Sequence, residues 1–339
     1  MTDRKLRFGV LGVGRIGKIH AANLVNRIPG TEVAALADVF PEELAAVAAR
    51  LNVPLTFSDY RRVLELADVD AVAICTPTNT HYQMILDTAA AGKHIFCEKP
   101  VDLSIDRIAE INDRVAKCGV ELMVGFNRRF DPNFLKVREM VESGAVGVPH
   151  ILRITSRDPA PPPEHYIRAS GGLFLDMTIH DFDMARYLMA SEVVEVYARA
   201  TVLVDPVFER AGDWDTAVVT LTFASGAVGV IDNSRKAVYG YDQRVEVFGS
   251  GGMVTVKNNT PDSHIHLDRT GTHSSLPLNF FMNRYTESYL NEMRAFVDSV
   301  RGNTPAPVTG NDGLMAVVMG LAAAKSVREN RPVKLSEIL

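Results

Sequence analysis

Residues 6–17, Leu6-Arg7-Phe8-Gly9-Val10-Leu11-Gly12-Val13-Gly14-Arg15-Ile16-Gly17, decide the fold. An apolar run of strand length leads straight into G-x-G-x-x-G, and a helix pattern follows over 16–26. Gly12 permits the tight turn, Gly14 lets backbone approach a pyrophosphate, and Gly17 lets the helix pack on the strand. The first helical amides, those of Arg15 and Ile16 included, then face the phosphate charge. Asp38 closes the next strand pattern, where a carboxylate can accept hydrogen bonds from an adenosine ribose. The plainer reading of Asp38 is an acid capping the helix that begins at Pro41, and the two roles are compatible. A carboxylate repels a 2′-phosphate, and Val39 and Phe40 supply no cation, so the expected cofactor is NAD rather than NADP.

Outward from this motif, strand and helix patterns alternate to about Gly125, which predicts a doubly wound parallel sheet. Strands are expected at 33–37, 71–75, 94–97 and 121–124, with helices at 41–51, 81–91 and 104–118. Beyond that point long strand candidates appear at 150–155, 193–204, 216–223, 228–233, 244–248 and 253–257. Ala224–Ala227 and Gly249–Gly252 are the hairpin turns. Helix patterns at 132–143, 179–189, 285–301 and 312–330 intervene. The expected organisation is α/β: residues 1–125 form a Rossmann domain. Residues 126–339 form an α+β domain with a large open, mostly antiparallel sheet, for substrate binding and oligomerisation.

The 339 residues exceed what a single core usually fills, which agrees with two domains. A formal charge of −5 gives no general attraction to nucleic acid or an anionic membrane. Cys75, Cys97 and Cys118 fit neither a disulfide framework nor a Cys-x-x-Cys metal site, and point to a reduced, cytoplasmic setting. No apolar run approaches the roughly 20 residues needed to cross a bilayer.

Two further segments fall at expected strand C-termini, where such sheets bind ligands. One is Thr76-Pro77-Thr78-Asn79-Thr80-His81 and the other Glu98-Lys99-Pro100. Lys99 could orient a substrate hydroxyl and stabilise a developing alkoxide, or could be an ordinary surface lysine. In Gly171–Asp181, a helix starting near Asp176 would put Asp176 and His180 on one face. A carboxylate beside an imidazole suits proton removal from an alcohol; the bland alternative is an N-cap aspartate with a core histidine. Asp176, His180 and Asp181 could also ligate an ion with Glu98 or His165, but no spacing requires one, and no metal is expected.

Gly12–Gly17, Glu98-Lys99-Pro100 and the block from Gly171 to His180 together resemble the glucose–fructose oxidoreductase / inositol dehydrogenase / rhizopine catabolism family. The resemblance runs in order along nearly the whole chain. Segments 125–131, 174–186 and 234–244 are similar to those of its inositol-oxidising members. The resemblance implies hydride transfer from an inositol carbon to NAD, with Lys99, Asp176 and His180 as the catalytic set and His180 moving the proton. It implies that Arg128, Asp158 and Tyr239 touch the polyol, with Asn127 a further contact. It also implies a cis Lys99–Pro100 bond and a homotetramer. Gly12, Gly14, Arg15, Ile16, Gly17, Asp38, Thr76, Pro77, Asn79, His81, Glu98 and Lys99 form the expected cofactor set.

A cyclic polyol is uncharged and ringed with hydroxyls, so its site calls for hydrogen-bonding groups rather than many cations. Asp158, Asn127, Asp176, His180 and Tyr239 supply them, and the stiff Pro159–Pro163 stretch could hold Asp158 in place. Trp214 reads as packing or subunit contact. Other inositols or glucose remain possible substrates, and a non-catalytic NAD-binding sensor is the alternative of a different class.

Overall fold

The computed structural model describes residues 4–339. The chain divides into two compact units, one extending to Asn127 and rejoined by Glu287–Met315, the other Arg128–Thr286 with Ala316–Leu339. This differs from a single cut at 125/126, because a stretch late in the chain returns to the first unit.

The first unit is built on six parallel strands, β1 (Leu6–Leu11), β2 (Thr31–Ala37), β3 (Leu55–Phe57), β4 (Ala71–Ile74), β5 (His94–Glu98) and β6 (Leu122–Gly125). Their order is β3-β2-β1-β4-β5-β6, the doubly wound arrangement in which the chain reverses direction across the sheet beside β1. Helices α1 (Arg15–Asn26), α2 (Pro41–Leu51), α3 (Arg61–Leu64), α4 (His81–Ala90) and α5 (Ile105–Cys118) connect them. Pro41 opens α2 and Asn52 closes it in a left-handed conformation. Phe8 and Phe96 each meet Phe296, from the returning stretch, in edge-on or tilted ring contacts in the core.

The second unit begins with α6 (Pro132–Glu142), capped by Asp131, whose carboxylate accepts from the Asn133 and Phe134 amides and pairs with Arg284. Strand β7 (Pro149–Arg157) leads to α7 (Glu164–Ala169), α8 (Leu173–Asp176) and α9 (Ile179–Met189). Then come β8 (Val193–Thr201), α10 (Val207–Arg210), β9 (Thr216–Phe223), β10 (Val228–Ser234), β11 (Asp242–Gly249) and β12 (Gly252–Val256). With β15 (Val333–Lys334) they form a seven-stranded sheet in the order β12-β11-β7-β10-β9-β8-β15. All its pairings are antiparallel except β7 with β10. Both expected hairpins are present, β9–β10 and β11–β12. A small exposed hairpin, β13 (Ile265–Asp268) with β14 (Gly271–Ser274), was not foreseen, since its short strands bury no face. The remaining α-helices are α11 (Phe281–Arg284), α12 (Thr286–Gly302) and α13 (Gly310–Glu329); from Glu287 α12 belongs to the first unit, as does the start of α13 to Met315. Among the described residues no helix is long and apolar enough to cross a membrane.

Candidate active site

The three glycines of the first loop are distinguished by what a side chain would meet. Gly12 has φ +89°, and a Cβ there would lie 2.8 Å from the Cys75 carbonyl. A Cβ on Gly17 would collide with the Gly12 oxygen at 1.9 Å, so only glycine lets α1 approach β1 this closely. Gly14 is different: nothing lies within 4 Å of its Cβ position. It is also the N-cap of α1 and no side chain caps that helix end. Open space in front of uncapped helical amides is what a diphosphate requires, so the residues present fit a dinucleotide.

Asp38 follows β2 directly. Its Oδ2 accepts from the Val13 amide at 2.7 Å and its Oδ1 from the Phe40 amide at 3.0 Å. One carboxylate thus braces the glycine loop and the turn before α2, but it does not cap that helix, whose N-cap residue is Phe40 with no side-chain cap.

His81 is buried, with Nδ1 2.8 Å from the Pro100 carbonyl and Nε2 2.8 Å from the Thr76 carbonyl. Burial pulls its pKa down, against the opposing pull of those two carbonyls. Both ring nitrogens face backbone, so His81 fastens the Thr76 loop to the Lys99–Pro100 corner instead of pointing at a ligand. Lys99–Pro100 is cis and Lys99 is half-buried. Thr76 and Thr80 hydroxyls meet at 2.7 Å, whereas Pro77 and Asn79 are exposed.

Glu98 points inward, with Oε1 2.8 Å from Nε2 of the buried His20. Glu292, from the returning stretch, lies 3.8 Å from the same nitrogen and is wholly buried. Burial, then the Glu98 charge, pushes its carboxyl well above the ordinary range. Nothing in the local pattern pointed to Glu292, because a glutamate on an amphipathic helix reads as solvent-facing. Cys75, Cys97 and Cys118 are all free thiols.

In the second unit, Asp176 ends α8, and α9 begins at Ile179, so the expected single helix is broken at Met177-Thr178. The Thr178 hydroxyl explains the break: its one proton goes to Asn233 Oδ1 at 2.7 Å, with the Leu173 carbonyl a longer 3.2 Å away. Asn233 in turn donates to Asp181 Oδ2 at 2.9 Å, and Arg128 donates to Asp181 Oδ1 at 2.6 Å. The half-buried His180 therefore leaves the chain between two side chains that are both fastened to β10. With both oxygens of Asp181 so engaged, it is a poor candidate ligand for a metal. His165 is exposed on α7.

Asp158 follows β7. Its amide donates to the Ser234 carbonyl at 2.9 Å and its carbonyl accepts from the Ala237 amide at 2.7 Å. Those bonds bracket Arg235, whose guanidinium donates to Asp158 Oδ2 at 3.1 Å and Asp176 Oδ2 at 2.8 Å. Tyr166 donates to the other Asp176 oxygen at 2.8 Å. Asp158 and Asp176 are thus brought together by Arg235, and Asp176 is further held by Tyr166; sequence reasoning singled out neither partner. Three other expected polyol contacts are engaged elsewhere. Arg128 also reaches the Ser156 and Tyr241 hydroxyls, both at 3.4 Å. The Tyr239 hydroxyl donates to Asp242 at 2.6 Å and accepts from Arg157 at 3.0 Å. Asn127, in the first unit, donates to Ser288 at 3.3 Å. Trp214 packs against Phe174 with ring centroids 5.6 Å apart.

The first unit carries a dinucleotide cradle on a doubly wound sheet, the architecture of a dinucleotide-dependent oxidoreductase, and the second carries the Asp158 and Asp176 carboxylates joined through Arg235. Residues 6–126 match the model of an oxidoreductase family with an NAD-binding Rossmann fold, and residues 134–255 match the GFO/IDH/MocA C-terminal domain. The chain belongs to the GFO/IDH/MocA oxidoreductase family, and its cofactor is NAD. It is similar to myo-inositol 2-dehydrogenase of Thermotoga maritima, with 51% identity covering 98% of this chain and 100% of the relative. It is also similar to inositol 2-dehydrogenase of Rhizobium meliloti, at 46% identity over 98% and 99% of the two chains. The structure of scyllo-inositol dehydrogenase from Lactobacillus casei with bound NAD(H) and scyllo-inositol superimposes with TM-score 0.92. That match has 30% identity and covers 98% of this chain and 100% of the other.

Proposed function

We propose that the protein oxidises myo-inositol at C2 to 2-keto-myo-inositol. The observation that carries this reading is full-length likeness, at 51% identity, to a myo-inositol 2-dehydrogenase in a chain that carries Lys99, Asp176 and His180. NAD, held by the Gly12–Gly17 loop, the α1 N-terminus and Asp38, supplies the hydride acceptor when bound. His180 takes the hydroxyl proton, Lys99 orients the same hydroxyl and offsets its developing charge, and Asp176 helps fix the imidazole. Asp158 and Asp176 accept hydrogen bonds from ring hydroxyls, and Tyr166 and Arg235 hold them for that task. NADH formation with a panel of inositols and sugars tests the proposal. The expected result is myo-inositol preferred, and no turnover of any inositol would overturn it. Preference for scyllo-inositol is the second reading, favoured by the likeness to the Lactobacillus casei enzyme.

The protein assembles as a homotetramer in the cytoplasm in this proposal. One face of the second unit's sheet supports self-association: Ile151, Val218, Val228 and Phe248 are each 40–50% exposed on it. The three free thiols fit a reducing compartment. Sedimentation of the wild type and of Val228→Glu checks the assembly, with smaller species expected for the variant.

A further inference from the structure

We propose that Arg235 is a positioning residue for the polyol site, its guanidinium fork holding the Asp158 and Asp176 carboxylates side by side as a paired acceptor for two hydroxyls. The inference rests on the reading of the site as a polyol site. It follows from geometry within one unit. Arg235 is 3% exposed, and its two terminal nitrogens serve different carboxylates, at 3.1 Å and 2.8 Å. The backbone bonds from Asp158 to Ser234 and Ala237 fix the two chain segments in register, so the fork has one place to go.

The carboxylates come from unrelated parts of the chain, the end of β7 and the end of α8. Two carboxylates brought together repel, and without a cation one takes up a proton. A protonated acid becomes a donor and no longer matches a hydroxyl donor on the substrate. Other groups bear on the same pair. Tyr166 donates to Asp176, the Asp213 carboxylate adds negative charge near Arg235 and Asp176, and Arg128 adds positive charge near Asp158. Burial raises the pKa of Asp158, then the Arg235 charge opposes that rise. Arg235 hydrogen-bonds both carboxylates, and two carboxylates against its one guanidinium leave an acceptor-rich pair suited to an uncharged polyol.

Arg235→Gln and Arg235→Lys, assayed for NADH formation across pH, separate positioning from general stabilisation. In Arg235→Gln the KM for myo-inositol should rise roughly tenfold or more while NAD affinity is unchanged. The acid limb of its kcat/KM profile should move to higher pH by about one unit, because the carboxylates lose their cation. Arg235→Lys keeps the charge without the fork, so it should restore the pH profile but not the KM. If Arg235→Gln does not fold, the KM and profile of Arg235→Lys carry the test. Wild-type KM and pH profile in folded variants would overturn this inference and leave the functional reading intact. No turnover of any inositol by the wild type would overturn both.

Discussion

The Oδ2 atom of Asp38 accepts a hydrogen bond from the Val13 amide at 2.7 Å. The residue expected to choose the cofactor is thus also a brace for the loop that cradles it. Val39 and Phe40 beside it are 73% and 67% exposed and bring no positive charge. Asp38→Ser should therefore lower the preference for NAD over NADP by about tenfold or more. It should also weaken NAD binding itself, because the loop loses an anchor. Steady-state kinetics with both cofactors checks this, and unchanged selectivity would remove Asp38 from cofactor choice.

Arg128 and Asp181 are 5% and 0% exposed, and their 2.6 Å bond joins the segment after β6 to the start of α9. Removing one partner strands a buried charge. Arg128→Met should destabilise the protein by about 3–5 kcal/mol, read from denaturant unfolding. A loss of polyol affinity at unchanged stability would instead assign Arg128 to the substrate.

Glu292 gives the pH dependence a sign. Its folded carboxyl, raised by burial and then by Glu98, keeps a proton that the unfolded chain releases above its ordinary value of 4.5. This difference therefore lowers stability as pH rises from that value toward the folded pKa. Glu292→Gln lacks it. The variant should gain stability relative to wild type near neutral pH, with the gap closing toward about pH 4, when unfolding is measured across pH. The reverse trend would mean that Glu292 is ionised beside His20.

His180 leaves the chain between Thr178 and Asp181, both tied to Asn233. His180→Ala should cut turnover by about 10²–10⁴-fold. NAD binding should be spared, because the Gly12–Gly17 loop belongs to the other unit. Fluorescence titration with NADH beside the turnover assay checks both, and near-normal turnover would remove His180 from the chemistry.

Most of the parallel sheet was legible because four of its six strands carry local punctuation: Gly12 after β1, Asp38 after β2, Pro77 after β4 and Pro100 after β5; the three-residue edge strand β3 buries too little to show a pattern and was not foreseen. Asp176 and His180 stood out in the sequence as a carboxylate–imidazole pair, and Asp158 through the family resemblance. What sequence could not show was how that chemistry is held. Arg235 lies 77 residues from Asp158 and 59 from Asp176, so nothing local marks it as their partner. Arg128 and Tyr239 had the right chemistry for a polyol, yet Asp181 and Asp242 engage them. The break before α9 was hidden for the same reason: it depends on Thr178 meeting a distant Asn233. Glu292 was missed because helical periodicity does not reveal a glutamate turned into a core.

The central claim is hydride transfer from C2 of myo-inositol to NAD, and isotope transfer tests it most directly. With myo-inositol deuterated at C2, mass spectrometry of the reduced cofactor should find the deuterium in NADH, together with slowed turnover if hydride transfer limits the rate. NADH formed without deuterium would contradict the claim by placing oxidation at another carbon.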